Sequence, residues 1–198
     1  RIRHYVYQHQ MLVNFSEKVK VDGVISYGLG DHGYDIRVLP DYLEPDMTRI
    51  KAAGKVLDPK DPELQQEGVY MMPRNAPGNR ITIKPHSYVL VESVERFRMP
   101  LNVVAHSLGK STFGRMGIIP DITLIDAGYG LTNKDGSLNP VGNSISFACR
   151  NPYPIPVVIY ALEGLTQLVF YEQSEDAEQG YNGRYQDSQG LQGSKVHG

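Results

Sequence analysis

Apolar and polar residues alternate over several short stretches of this chain, as they do in β-strands that bury one face. Glycine and proline, with 20 and 13 residues, separate these stretches and predict frequent turns. The pattern is typical of a mainly β fold, either a sandwich, a jelly roll or a barrel. Strands are predicted over 34–39, 68–72, 80–84, 87–94, 103–105, 144–149, 156–162 and 164–171.

Weaker patterns complete the outline of the chain. A short amphipathic helix is predicted within 2–20, a strand over 21–27 and a second short helix over 111–117. Segment 40–62 is polar and interrupted by proline, so we expect it to be a surface excursion.

The organisation of the chain follows from the change in composition near its end. We assign residues 1–171 to one β domain with a short N-terminal helical segment. Residues 172–198 are polar and rich in glycine and glutamine. They form a C-terminal tail that is expected to be mobile unless other residues hold it.

The charge balance limits the possible partners. The chain has 198 residues and a formal net charge of −2, which argues against a polycation that coats nucleic acid or a membrane surface. No apolar run approaches the roughly 18 residues that would span a bilayer. We therefore expect no nucleic acid and no membrane as partners, and a cytoplasmic location.

The single cysteine, Cys149, excludes an intramolecular disulfide and a cysteine-rich zinc centre. Zinc deaminases carry His-x-Glu followed by a pair of cysteines. No histidine of this chain has glutamate two residues later, so zinc-activated water of that type is not expected. Because Cys149 lies in an apolar stretch, we predict a small core residue and not a nucleophile.

Two glycine-containing motifs match nucleotide-binding patterns only in part. The segment 28–33 has the letters of a dinucleotide fingerprint, but a strand-like stretch follows where a helix is needed. Gly109-Lys110-Ser111-Thr112 ends like a phosphate-binding loop, but Val104 stands where that motif needs its first glycine. Lys110, the two hydroxyls and Arg115 would still suit an anion near a helix start, and a capped surface helix explains them equally well.

A longer signal comes from several blocks of sequence that occur in one order. They are Val24-Ile25-Ser26-Tyr27-Gly28 with Gly33-Tyr34-Asp35-Ile36-Arg37, then 90–97 and 108–119, then 160–170, and finally Gly183-Arg184-Tyr185-Gln186 with Gly190. Together these blocks resemble the dCTP deaminases, from about residue 24 to residue 190. A match of this length is far more specific than any single motif.

The resemblance implies a fold, an assembly and a reaction. The fold would be a distorted jelly roll, or dUTPase-like β-barrel, with a few short helices. The assembly would be a homotrimer with each active site at a subunit interface. The substrate would be dCTP held as its Mg²⁺ complex, and hydrolysis would release ammonia and give dUTP without zinc.

The resemblance also implies roles for individual residues. Lys110, Ser111, Thr112 and Arg115 match the segment that holds the phosphates and the reacting end of the base. Ser111 would position the water or the amino group, and Arg115 would place positive charge beside the developing tetrahedral centre. The other matching positions are Asp126 beneath the deoxyribose, Ser146 and Phe147 beside the pyrimidine edge, Gln167 at the nucleotide, and Tyr181, Arg184 and either Ser188 or Gln189 in the tail.

One departure from the family pattern concerns the catalytic strand. Ala148 stands where the family carries the glutamate that acts as general acid and base. Positioned proton transfer contributes about 10²–10⁴-fold to a rate, and alanine has no titratable group. We therefore predict that the chain binds dCTP and deaminates it extremely slowly, if at all.

Two explanations of Ala148 remain open. The residue is either an inactivating substitution, which the intact segment 110–115 favours, or the natural residue of a non-catalytic nucleotide-binding regulator. A dUTPase or a bifunctional deaminase and dUTPase of the same fold is a further alternative, which Asp126 and Tyr129 keep open.

A second departure is an apparent insertion over 132–143, between the Asp126 segment and the catalytic strand. Tyr129 also stands where the family usually has tryptophan. Because of its predicted position beside the site, the insertion is expected to alter base selectivity, for example toward a 5-substituted cytosine.

Overall fold

The structure is a computed structural model that describes residues 2–66, 68–187 and 189–195. Ser188, one of the two tail positions named above, lies outside the described residues. The helices are α1 (Ile2–Gln8), α2 (Met47–Ala52) and α3 (Ser111–Gly114), with 3₁₀ turns at Pro62–Gln65 and Pro77–Asn79. The strands are β1 (Leu12–Val13), β2 (Gly28–Leu29), β3 (Tyr34–Pro45), β4 (Met71–Asn75), β5 (Arg80–Ile83), β6 (Ser87–Ser93), β7 (Arg96–Phe97), β8 (Val103–Ser107), β9 (Ile119–Asp121), β10 (Ser146–Asn151), β11 (Val157–Tyr160) and β12 (Gly164–Glu172).

An antiparallel sheet forms the body of the described chain. Its strands follow the order β8-β12-β3-β6-β10-β9, and β2 and β4 add to β3. A bridge between Ala105 on β8 and Ile125, just after β9, joins the two edges of this sheet. The sheet is therefore nearly closed on itself, and the predicted mainly β, jelly-roll or barrel-like fold is confirmed.

Two of the weaker sequence predictions are wrong. Residues 21–27 do not form a strand, and their stretch contributes only a bridge between Val19 and Tyr27. The segment after 40 is not purely an excursion, because β3 continues through Pro40 to Pro45 and pairs there with β4 and β6. The pairing of β3 with β6 shifts register between Val38 and Tyr42, and such an irregularity is where a strand tolerates proline.

The interior of the sheet holds the main core. Its largest fully buried side chains include Tyr34, Phe97, Met11 and Ile159. Cys149 is also fully buried, as the sequence predicted. Burial of such apolar side chains is the dominant favourable contribution to folding.

Strand β10 shows how this core positions a functional surface. Phe147 and Cys149 are buried, whereas Ser146, Ala148 and Arg150 are more exposed. Since successive side chains point to opposite faces of a strand, the second set lies on the outer face of the sheet.

The C-terminal segment runs back along the body of the protein. The backbone amides of Gln173, Ala177 and Tyr181 donate to the carbonyls of Asn102, Leu101 and Ala127 at 2.7, 2.8 and 2.9 Å. Main-chain hydrogen bonds therefore hold the first part of the tail, which was expected to be mobile without such contacts.

Candidate active site

A cavity of about 480 Å³ opens on the outer face of β6, β9 and β10. Its volume is in the range of small-molecule sites. Of the residues selected from the sequence, Asp126, Ser146, Phe147, Ala148 and Tyr181 line it. The cavity is also lined by Tyr88, Leu90, Asp121, Ile122, Thr123, Leu124, Ile125, Tyr129, Ser144, Ile145, Tyr185, Gln192, Gly193 and Ser194.

Ala148 lies in the middle of the wall that the sheet contributes. It is directly opposite Leu90 on β6 and directly opposite Asp121 on β9. Directly opposite residues of antiparallel strands present their side chains on the same face, about 4.5–5.5 Å apart at Cβ. The three side chains therefore form one row across the sheet, with the small methyl group of Ala148 between a leucine and a carboxylate.

The backbone of β10 is only partly paired beside this row. The pairing with β9 covers Ala148, Cys149 and Arg150 and stops before Phe147. On that side the edge of β10 beside Ser146 and Phe147 is therefore not covered by β9.

Two tyrosines form another wall of the cavity. The ring of Tyr129 meets that of Tyr181 edge to face, with centroids 5.2 Å apart. The Tyr129 hydroxyl donates to the carbonyl of Ser144 at 2.6 Å, which fixes the buried ring. Asp126 is exposed at this end of the cavity.

The predicted phosphate segment is not part of this cavity. Lys110, Ser111, Thr112, Arg115 and Gln167 are absent from its described lining. The side chains of Ser111, Thr112 and Arg115 are exposed. Gln167 lies beside the same segment, because its backbone amide donates to the Gly109 carbonyl and its carbonyl accepts from Leu108, both at 3.0 Å.

Lys110 is held against the body of the protein by Asp35. Its Nζ donates to Oδ2 of Asp35 at 2.7 Å and to Oγ of Ser26 at 3.1 Å. Lys18 binds the same carboxylate oxygen, and the Asp35 side chain is only 3% exposed. Two ammonium groups on one carboxylate leave the cluster with an excess positive charge, which suits an anion at its exposed side.

The insertion over 132–143 contacts the tail. Nε2 of Gln186 donates to the Thr132 carbonyl, and the Lys134 amide donates to Oδ2 of Asp187 at 3.2 Å. Nε2 of Gln189 donates to the Gly142 carbonyl at 3.4 Å, and its Oε1 accepts from Arg96. The loop therefore holds the chain that continues over the cavity.

The last described residues form the cover of the cavity. The amide of Gly190 donates to Oε1 of Glu92 at 3.1 Å, and the amide of Gln192 donates to Oγ of Ser146 at 3.0 Å. Arg184 is not in the described lining of the cavity, and its Nη1 donates to the Lys195 carbonyl of this segment at 3.0 Å.

Burial affects two side chains next to the cavity. It raises the pKa of Tyr88, and it raises the pKa of the Cys149 thiol to about 12. A thiol with such a pKa stays protonated at neutral pH, which makes it a poor nucleophile.

The described residues contain no group of three or more His, Cys, Asp or Glu side chains that could hold a metal ion. In the same part of the chain, no helix is long and apolar enough to cross a membrane.

Sequence reasoning missed Asp121, Tyr185 and the cover at 192–194. Asp121 has no motif of its own, and only the register of β9 against β10 reveals its place. For Tyr185 and the cover, the tail block that resembles the family indicated the region, but not which side chains would face the cavity.

Comparison with known proteins shows the family to which this chain is related. The model of the dCTP deaminase-like family matches residues 7–173. A dCTP deaminase of Campylobacter fetus is 34% identical over 193 residues, which are 96% of this chain and 92% of that protein. A dCTP deaminase of Sulfurovum sp. is 35% identical over 193 residues, which are 96% of this chain and 91% of that protein.

One solved structure supports the fold independently. The crystal structure of 2'-deoxycytidine 5'-triphosphate deaminase from Agrobacterium tumefaciens has a TM-score of 0.52 and 13% sequence identity to this chain. The match covers 85% of this chain and 44% of that chain, and at this identity it bears on the fold alone. With the family model and the relatives extending over nearly the whole sequence, the chain belongs to the dCTP deaminase-like family.

Proposed function

We propose that this protein binds dCTP, as its Mg²⁺ complex, in a homotrimer whose sites combine residues of two subunits. One subunit contributes the cavity at β10, and another contributes the segment 110–115. The observation that carries this proposal is the separation of the predicted site residues into two groups. The cavity group contains Asp126, Ser146, Phe147, Ala148 and Tyr181, and the cationic group contains Lys110, Ser111, Thr112, Arg115 and Gln167.

Each group has one half of the chemistry that a nucleotide needs. The cavity has aromatic rings, a free strand edge and the Asp126 carboxylate, which suit a pyrimidine and a sugar hydroxyl. In the cationic group, Arg115 and the hydroxyls of Ser111 and Thr112 are exposed next to Lys110, which pairs with Asp35. These cationic and hydroxyl groups suit a triphosphate. Neither group alone would hold both ends of dCTP.

Deamination requires a proton acceptor for the attacking water and a proton donor for the departing ammonia. Ala148 offers neither, so we expect tight binding with slow turnover. In this proposal Arg115 stabilises the charge that develops at the reacting centre, and Ser111 orients the water or the amino group.

Isothermal titration calorimetry with dCTP and Mg²⁺ tests the binding. We expect Arg115→Ala to weaken binding at least about tenfold, since it removes one charge-assisted contact. Arg80→Ala is the matched control, because Arg80 is exposed and belongs to neither group. Absence of heat with both cytidine and uridine deoxynucleotides would refute the proposal.

Sharing of the site between subunits has its own test. A chain that carries both Arg115→Ala and Ala148→Glu is co-expressed with the unaltered chain. If sites are shared, mixed trimers contain some sites with both Arg115 and the introduced carboxylate, and ammonia release exceeds the sum of the two separate proteins. Activity no greater than that sum would show that each site is built from one subunit.

A dUTPase activity, alone or together with deamination in a bifunctional enzyme, is the second candidate, and Asp126 and Tyr129 in the cavity favour it. Product analysis of the Ala148→Glu variant distinguishes the two. Formation of dUTP and ammonia supports a deaminase alone, whereas pyrophosphate with dUMP supports a bifunctional enzyme.

A further inference from the structure

Asp121 is a carboxylate that the sheet places beside Ala148. The two residues are directly opposite each other in the pairing of β9 with β10, and both line the cavity. Their side chains therefore leave the same face of the sheet at about 4.5–5.5 Å separation. A carboxylate on β9 can in this way reach the space beside the methyl group of Ala148.

The surroundings of Asp121 keep its carboxylate accessible. Its side chain is 53% exposed, and Oδ2 accepts an ion pair from Nη2 of Arg150 at 3.0 Å. Arg150 follows Ala148 by two residues on β10, so it lies on the same outer face. The ion pair holds the carboxylate beside the row that contains Ala148 without burying it.

The other carboxylates near this face have different positions. Glu92 is buried, does not belong to the described lining of the cavity, and accepts from the Gly190 amide of the tail. Asp126 lies at the tyrosine end of the cavity, beyond the bridge at Ile125. Asp121 is thus the lining carboxylate that shares a row with Ala148.

We propose that Asp121 is a catalytic residue that supplies the proton acceptor missing at position 148. This inference rests on the proposed function, because it concerns the same bound pyrimidine. The Asp121 carboxylate takes a proton from water, and the resulting hydroxide forms a bond to C4. As hydroxide adds, the electron pair of the C4–N3 double bond moves to N3. The proton held by Asp121 then passes to the amino nitrogen, the C4–amino bond breaks with its electron pair leaving on nitrogen, and ammonia departs. The proton of the added hydroxyl moves to N3 as C4 becomes a carbonyl. The sum is dCTP plus water giving dUTP plus ammonia, with no oxidant or reductant.

Arg150 acts in this scheme as a positioning residue. It does not line the cavity, and it reaches the reaction only through its ion pair with Asp121. Its loss is therefore expected to lower turnover less than the loss of Asp121, with little change in dCTP affinity.

The experiment compares ammonia release and dCTP affinity in the same set of full-length variants. Asp121→Asn keeps the shape of the side chain and removes its basicity, so turnover is expected to fall at least about 100-fold while Kd for dCTP changes little. Asp121→Glu keeps the carboxylate and is expected to retain measurable turnover. Asp22→Asn is the control, because Asp22 is exposed and is not part of the described lining.

If the unaltered chain releases ammonia slowly, a rescue variant still tests the role of Asp121. Adding Ala148→Glu to Asp121→Asn is expected to restore ammonia release, because a carboxylate then returns to the row from the neighbouring strand. Thermal unfolding of each variant establishes that it is folded.

The outcomes separate this inference from the function on which it rests. Suppose that the unaltered chain binds dCTP and that the Asp121→Asn variant releases ammonia at the same rate as the unaltered chain. Asp121 is then not the proton acceptor. Binding without any ammonia release from the unaltered chain also overturns the inference and leaves the binding function intact. Absence of binding refutes the proposed function as well.

Discussion

The hydroxyl of Tyr34 donates a hydrogen bond to Oε1 of Glu95 over 2.9 Å, at a point where neither side chain is exposed. Nε of Arg37 donates to the same oxygen at 2.8 Å, and the Tyr34 hydroxyl accepts from the Ser16 amide at 2.8 Å. This network connects β3 with the turn after β6 and satisfies a carboxylate inside the core. Breaking a pair of this kind leaves a buried charge without its partner, which is strongly destabilising.

The Glu95 network predicts a pH dependence of stability. Burial raises the pKa of Glu95 above its ordinary value of 4.5, although Arg37 and Tyr34 favour the charged form. The folded state therefore keeps this proton at pH values where the unfolded chain has lost it. The contribution of Glu95 to the free energy of unfolding is fully present below about pH 4.5 and decreases as the pH rises above it.

Urea unfolding of Glu95→Gln over a pH series checks this sign. The variant cannot titrate at this position, so the free energy of unfolding of the wild type minus that of the variant should decrease from acid to neutral pH. Glu178→Gln, at an exposed tail position, is the matched control. A difference that increases with pH would contradict the prediction.

Restoring a glutamate at position 148 should increase activity. In the Asp121→Asn background, where this row of the sheet has no carboxylate, we expect Ala148→Glu to raise ammonia release from dCTP by about 10²–10⁴-fold, the usual contribution of a positioned acid or base. The control is Ala148→Gln, which has the same length and no basicity. Equal rates for the two variants in a coupled ammonia assay would show that volume at this position, and not proton transfer, limits the reaction.

Gly130 should tolerate no side chain. Its φ is +69°, and a Cβ atom would clash with the carbonyl oxygen of Phe97 and the amide of Asn143. Gly136 has φ +82°, but a Cβ atom added there would meet no other atom within 4 Å. Both alanine variants incur the backbone strain of about 1–3 kcal/mol, and only Gly130→Ala adds the clash. Chemical denaturation should therefore show a clearly larger loss for Gly130→Ala, and similar losses would mean that the contact adjusts freely.

The contact between the insertion and the tail should control access to the site. Gln186 is 4% exposed and donates to the Thr132 carbonyl. Gln186→Ala removes this bond, so we expect faster trypsin cleavage at Arg184 and weaker dCTP binding. Gln173→Ala, at an exposed position nearer the body, is the control. Unchanged cleavage would show that the remaining bonds to the insertion are sufficient.

The insertion over 132–143 is also expected to affect base selectivity, because of its position beside the site. Deleting part of 132–143 should change the ratio of the affinities for dCTP and 5-methyl-dCTP. An unchanged ratio, measured by calorimetry, would leave the insertion with a role in holding the tail alone.

The sequence was sufficient for elements whose pattern is local. The apolar, β-rich stretches at β6 and β10 predicted both strands and the burial of Cys149, because the character of consecutive residues is visible in the sequence. It failed at β3, since proline at position 40 usually ends a strand, and only pairing with β4 and β6 carries β3 through it.

For the candidate site, the sequence could not predict the register in which neighbouring strands pair. Ala148 was recognisable because its neighbours in sequence fix its alignment with the family. Asp121 was not, because its closeness to Ala148 depends on how two strands pair. The sequence also did not show that Lys110 lies outside the cavity, because a local pattern does not reveal which distant residues come together in the fold.

The burial of Cys149 has a practical consequence for studying this protein. Its thiol lies on the inner side of the strand that carries Ala148 on its outer side, and it is the single cysteine of the chain. A thiol reagent can reach it only when β10 separates from its neighbours. The rate of labelling therefore reports how often β10 opens, and nucleotide that closes the cavity should slow this rate without any introduced label.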